Sequence, residues 1–304
     1  MKVKERYRLF TEWQRQPHQV APLSEEEHEC ATCGTRYEGN YCPRCGQSSR
    51  IGRYSFKKAL LLFLDVWGMG NRGMFRSIRD LILRPGYMIR DYLQGMQMAY
   101  FPPFKMLFLL CTLSFLIDSG LNIQGINRYK LSMEQGKEYT EQRKAEYMSD
   151  KTLNAISRTS KIAAQDIIQL TVEKIQEHYQ FVILFSLLVF SLPLWLLLRH
   201  CPAIPDLRLS ECFVSMVYIT NMILIYTLIP SLLCFSYTAE SRFNLVAMIL
   251  AVIPIRQLSG YSYWGTIWRL LLAFIPFIFI LLLLYCAVVI CVVITEHPEF
   301  LQQE

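Results

Sequence analysis

Apolar residues gather in five long runs over the C-terminal two thirds of the chain, approximately at 101–117, 180–198, 212–236, 243–259 and 270–294. Runs of this length and continuity predict membrane-crossing helices. The first is short and holds Lys105, which can snorkel toward headgroups. The fourth is also short, ending near Arg256, and leaves open whether it crosses fully. Tyr261, Tyr263, Trp264 and Trp268 form an aromatic belt before the last run. Each of the last four runs contains one proline: Pro193, Pro230, Pro254 and Pro276.

Upstream of these runs the pattern becomes amphipathic. Met74, Ile78, Leu81 and Ile82 share one helical face, with Arg76, Arg79 and Asp80 off it. Arg84-Pro85-Gly86 breaks that helix, and a short third helix follows with Tyr87, Ile89, Tyr92 and Leu93 as its apolar contacts. Phe56 to Trp67 is leucine-rich, but Lys57, Lys58 and Asp65 leave it too short to cross. Two readings stay open: these helices lie in the membrane interface, or they pack as a small bundle on the transmembrane core. Between the first two spans, residues 141–179 lack proline and glycine, and Ile168, Val172, Ile175 and Tyr179 form an apolar stripe. That stripe suits a stalk docking a partner or a symmetry mate, or equally a helix lying on its own chain.

Charge orients the chain. Residues 50–105 carry ten Lys or Arg against three Asp, more than the +6 of the whole protein, which implies attraction to anionic headgroups. Seventeen Lys or Arg precede or enter the first span, while the tail after residue 295 has none and contains Glu296, Glu299 and Glu304. The positive-inside rule then predicts a cytoplasmic N-terminus and an extracytoplasmic C-terminus, with the 118–179 loop outside. Residues 1–29 have no apolar stretch of the signal-peptide kind, so the first span is expected to serve as an uncleaved anchor.

Of ten cysteines, four form the pairs Cys30-Ala-Thr-Cys33 and Cys42-Pro-Arg-Cys45, each followed by a glycine, Gly34 or Gly46. Two CxxC turns supply four thiolates for one tetrahedral Zn2+. Four thiolates close the coordination sphere, so the zinc is expected to be structural, with His28 as a nearby competing ligand. Thiolate ligation also suits a reducing compartment, in agreement with the charge rule. Thr35 to Tyr41 predicts a short hairpin turning at Gly39-Asn40. So small a module needs its metal to fold. The six remaining cysteines, Cys111, Cys201, Cys212, Cys234, Cys286 and Cys291, read as small apolar residues of a bundle.

Catalytic signatures are missing: the chain has no GxSxG, P-loop, GxGxxG or HExxH. The second, third and fifth spans carry no ionisable residue away from their ends, and Glu211 and Asp118 sit at span ends. Asn221, near mid-membrane, is expected to hydrogen bond between helices. A lipid-modifying enzyme would need Asp65, Asp91 or Glu211 as its base, none at a recognised spacing. Nucleic acid at Arg36, Arg44 and Arg50 is a minor reading, because the interleaved leucines and aromatics suit a bilayer better.

The CxxCG pair, the Tyr37–Gln47 stretch, Arg84-Pro85-Gly86, Asp91-Tyr92-Leu93-Gln94-Gly95 and Tyr100-Phe101-Pro102-Pro103-Phe104 occur in an order that resembles a family of bacterial multi-pass membrane proteins. That family has an N-terminal zinc ribbon and is catalogued as a domain of unknown function. The resemblance implies a bacterial inner membrane and a cytoplasmic ribbon, and carries no activity. Met96-Gln97-Met98 stands where the family would place a basic residue after Gly95.

The expected fold is mainly α, a polytopic membrane protein of about five transmembrane helices with a small N-terminal zinc ribbon and interfacial amphipathic helices. Its expected division is a polar segment 1–29, the ribbon 30–50, basic interfacial helices 51–100, and the bundle 101–304 with an extracytoplasmic helical loop at 118–179. The expected function is a non-enzymatic adaptor or assembly factor, with anionic lipid and a protein at the ribbon or outer helix as partners. A transporter or flippase of an apolar or lipidic substrate is the alternative. Oligomeric state stays open.

Overall fold

Gly86 and Pro254, 168 positions apart in sequence, meet in the folded chain. The computed structural model describes residues 3–19, 22–49, 72–149, 155–177, 179–233 and 237–296. The leucine-rich stretch 56–67, with Asp65, lies outside those residues.

The segment expected to be only polar opens with helix α1 (Val3–Arg15). Val3, Tyr7, Phe10 and Gln14 recur at helical spacing, a signal present in the sequence but masked by the charges between them. Two three-residue strands follow, β1 (Glu27–Glu29) and β2 (Arg36–Glu38), paired antiparallel with His28 opposite Tyr37. The hairpin therefore turns through the first cysteine pair rather than at Gly39-Asn40. A second, smaller ladder, Tyr41 with Ser48, turns through the other pair. Each CxxCG turn closes its own backbone hydrogen bonds, which leaves Gly39-Asn40 as the link between two like loops.

Helices α2 (Arg72–Leu83) and α3 (Pro85–Leu93) meet at an elbow on Arg84. Pro85 occupies the first turn of α3, where its missing N–H costs nothing, and disfavours helical geometry at the residue before it. Leu81, Met88 and Ile89 are fully buried in the main core. Burying such a side chain out of water stabilises by roughly 1.5–3 kcal/mol. The elbow is thus packed onto the bundle, the second of the two expected arrangements, while Phe75, Ile82 and Leu83 stay exposed.

The apolar runs become α4 (Pro103–Asp118), α7 (Tyr179–Leu198), α8 (Leu209–Leu232) and α11 (Tyr263–Glu296). Four stretches within or around them are long and apolar enough to cross a membrane. The fourth run differs. It breaks into α9 (Tyr237–Leu250) and α10 (Val252–Ser259), neither of crossing length. Pro254 accounts for the break, since its ring clashes with the carbonyl four residues back and it has no N–H to donate.

Hydrogen bonds fix the path. Tyr218 Oη donates to the Phe101 carbonyl at 2.7 Å and Asn221 Nδ2 to that of Pro103 at 3.0 Å, while Ile123 N–H reaches the Leu232 carbonyl at 3.3 Å. Helices α4 and α8 therefore run side by side in the same direction. Helix α7 runs opposite, with Trp195 Nε1 donating to the Leu207 carbonyl at 2.7 Å near the start of α8. The broken pair α9–α10 returns the chain to that same end, where Ala203 N–H meets the Ser259 carbonyl at 3.1 Å. From there α11 departs and packs on α7 through Phe190 against Phe274 and Phe277. Its 34 residues extend about 51 Å, well beyond a hydrocarbon core of about 30 Å.

The 118–179 loop is a helical hairpin, α5 (Arg128–Ser149) and α6 (Ala155–Glu177). It is joined by polar contacts: Lys144 with Asp166, Lys137 with Glu173 at 3.7 Å, and Thr140 Oγ1 donating to Gln169 Oε1 at 2.9 Å. The expected stripe is not its buried face. Ile168 and Val172 are exposed while Thr171 is buried, and α6 packs against α11 as well as α5.

Candidate functional site

The sulfurs of Cys30, Cys33, Cys42 and Cys45 lie within 4.8 Å of one another. The backbone makes this happen twice in the same way. Gly34 N–H bonds the Cys30 carbonyl at 2.8 Å and Gly46 N–H that of Cys42 at 2.9 Å. Cys30 N–H reaches the Thr35 carbonyl at 3.0 Å and Cys42 N–H that of Gln47 at 2.8 Å. Gly34 and Gly46 have φ of 69° and 75°, a left-handed conformation that glycine adopts without strain.

Contacts of 3.3 Å between the Cys30 and Cys45 sulfurs and 3.6 Å between those of Cys33 and Cys42 approach the edge of an S4 tetrahedron. Bond lengths of about 2.3 Å to a zinc ion would set that edge at about 3.8 Å. The Thr35 side chain, 3.2 Å from the Cys33 sulfur, pulls that thiol down to about 6. The Gln47 N–H favours the Cys45 thiolate, yet the Cys30 sulfur, burial and the other two sulfurs push it up to about 12. Four negative sulfurs at this spacing repel one another unless a cation sits among them, and the donor set fits one metal ion. His28 stands apart, 3.3 Å from Ser24 Oγ and against the Tyr37 ring. Among the described residues the four cysteines make the one such cluster.

A second cluster went unread in the sequence. Arg84, expected to break a helix and quoted in the family resemblance without a role, is buried and uses all five guanidinium donors. Its Nε donates to Asp80 at 3.3 Å, and one terminal nitrogen to Asp91 at 2.6 Å and Tyr100 Oη at 2.7 Å. The other terminal nitrogen donates to the carbonyls of Gln14, at 3.3 Å, and Gln16. Gln14 answers by donating its side-chain amide to the Leu83 carbonyl at 2.6 Å. Arg84 thus closes the C-terminal end of α1, where the helix dipole favours a cation, and fastens it to the elbow.

Gly86 explains the rest of the Arg-Pro-Gly motif. A Cβ there would stand 2.3 Å from the Pro254 carbonyl oxygen and 2.4 Å from Gln257 Cβ. Its N–H donates to Gln257 Oε1 at 2.9 Å, and Arg90 caps α10 through the carbonyls of Gln257 and Leu258. The elbow sits against the middle of α8, with Tyr92 on Tyr218 at 5.2 Å between ring centroids and Tyr226 Oη donating to the Ile82 carbonyl at 3.4 Å.

Two of the three candidate bases have structural partners, and the third, Asp65, lies outside the described residues. Asp91 is held by Arg84 and Tyr100, and Glu211 accepts the Arg208 N–H at 2.8 Å as a helix cap. Asn221 bonds between helices as expected, although its Oδ1 finds no partner. Cys111, Cys201 and Cys212 are free and buried, and Cys286 is free and exposed.

A family described as Protein of unknown function (DUF3667) matches residues 71–115. The chain is similar to that family over the segment that holds Asp80, Arg84, Gly86, Asp91 and Tyr100. No curated protein and no solved structure matches the chain.

Proposed function

We propose that this protein is a non-enzymatic membrane adaptor or assembly factor, presenting a zinc-stapled ribbon from a helical membrane body. The carrying observation is the closed set of four cysteine sulfurs, which leaves a bound ion no open position for a substrate. The Arg84 network supports the same reading. It uses every donor for structure and couples α1, the helix preceding the ribbon, to the bundle. The metal is Zn2+, held by Cys30, Cys33, Cys42 and Cys45 in a structural role. The membrane is a bacterial inner membrane, with the ribbon on its cytoplasmic side and the C-terminus outside. The excess of basic residues before the first span and the need of thiolates for a reducing compartment support that placement.

The test is affinity purification of the full chain from native membranes in mild detergent, beside a Cys42→Ser, Cys45→Ser variant. Proteins retained by the wild type and lost with the variant support a ribbon that recognises a partner. Identical profiles overturn the adaptor reading. A second reading, transport or flipping of a lipidic substrate, draws on an apolar cavity of about 350 Å³ between α7, α8, α10 and α11.

A further inference from the structure

The cavity runs along one face of α11. Ile267 and Phe274 line it on that helix, Phe190 on α7, Ile219 on α8, and Val252 and Ile255 on α10. Apart from Ser186 and Thr220 its walls are apolar. Met248, Ala251 and Val252, at the break between α9 and α10, form part of its wall.

The end nearest the α10–α11 linker carries charge without a counterion. Arg256 follows Val252 by four residues and so shares its face of α10, and its buried Nε has no hydrogen-bond partner. Its guanidinium stacks 4.0 Å from the Tyr263 ring. Arg269 stacks likewise 3.7 Å from Tyr261 and donates once, to the Gly265 carbonyl at 3.0 Å. Neither arginine forms an ion pair among the described residues, and the polar partner of Arg269 is a neutral carbonyl. Stacking occupies the face of a guanidinium and leaves its edge N–H groups able to donate to a phosphate oxygen. Trp264 and Trp268, 82% and 68% exposed in the first turns of α11, are side chains suited to the headgroup level.

We infer that this is a binding site for one anionic glycerophospholipid, its phosphate held at Arg256 with Arg269 beside it and an acyl chain lying in the cavity. Apolar walls select the chain and the unpaired guanidiniums select the charge. An apolar cavity with two arginines lacking a carboxylate partner at one end matches the two halves of an anionic phospholipid. Lipid binding here is independent of the ribbon, so the Cys42→Ser, Cys45→Ser variant keeps it whether or not that variant loses a partner.

The experiment is native mass spectrometry of delipidated full-length protein titrated with palmitoyl-oleoyl phosphatidylglycerol, with the matching phosphatidylcholine, and with glycerol phosphate as the chainless probe. The phosphatidylglycerol is expected to bind one per chain, roughly fivefold or more tighter than the phosphatidylcholine. Arg256→Gln brings it down to the phosphatidylcholine level, and Val252→Trp, which fills the cavity, weakens both lipids. Lys105→Gln, an exposed cation on α4, changes neither. Melting curves of each variant show that it is folded, and Arg256→Gln decides the matter if Val252→Trp is not. Equal binding of the two lipids, an equal loss in Lys105→Gln, or full displacement by glycerol phosphate would each overturn the site.

Discussion

Arg84 donates to Asp91 across 2.6 Å, with side chains only 4% and 9% exposed. A pair this buried is costly to assemble and more costly to break, because removing one partner strands the other charge out of water. Asp80 and Tyr100 also bond Arg84, but Asp80 has a second cation in Arg79 at 2.8 Å, so Asp91 is the carboxylate whose only cation among the described residues is this guanidinium.

Asp91→Asn and Arg84→Met are therefore expected to destabilise the folded protein by about 3–5 kcal/mol. Arg84→Lys keeps the charge but cannot span Asp80, Asp91, Tyr100 and the end of α1 together. It should free α1 first, making residues 3–15 sensitive to limited proteolysis while the bundle still melts cooperatively. A melting temperature unchanged in all three variants would remove the network from any account of stability.

Gly86→Ala should cost about 1–3 kcal/mol or more, since α3 must retreat from the Pro254 carbonyl that a Cβ would meet at 2.3 Å. Gly136→Ala is the counterpart, a helical glycine with open space where its Cβ would stand. It is expected to be neutral or to stabilise by about 0.4–1 kcal/mol. Thermal unfolding of the two variants side by side checks the contrast. Similar shifts would mean that α3 and α10 are not in close contact.

What could be read from the sequence was local or continuous. The metal cluster rests on ligands three residues apart within each turn, and the spans rest on uninterrupted hydropathy. The hairpin was misplaced because Gly39-Asn40 carries a stronger turn signal than a cysteine pair, while Glu27–Glu29 is too acidic to announce a strand. The Arg84 network was hidden for another reason. Its partners lie 4, 7, 16 and 70 positions away, and the Gly86 amide finds its acceptor 171 positions on, distances no periodicity reports. An arginine beside a proline looks like a helix stop in sequence, and only packing shows what the arginine holds.

Metal removal should act on the ribbon and spare the body. The short strands bury little besides Tyr37, Cys30 and Cys42, too little apolar surface to fold unaided. Purified protein is expected to carry about one zinc per chain, and Cys33→Ser close to none. A chelator should then expose residues 22–49 to protease while helical circular dichroism barely changes. A metal-free wild type with a protease-resistant ribbon would refute the structural role.

The side of the membrane on which each end lies can be read by thiol labelling. Positive charge before α4 predicts that α1 stays in the cytoplasm and that α4 carries the chain outward to the α5–α6 hairpin. Glu5→Cys on α1 and Met148→Cys on α5 both place a thiol at an exposed position. In intact cells an impermeant maleimide should modify the Met148→Cys protein, and the Glu5→Cys protein only after the membrane is opened. The reverse pattern would invert the orientation and put the four cysteines in an oxidising space. Labelling of both from the same side would deny α4 a crossing, leaving its apolar surface, including Phe108, Leu113 and Phe115, without a bilayer to cover it.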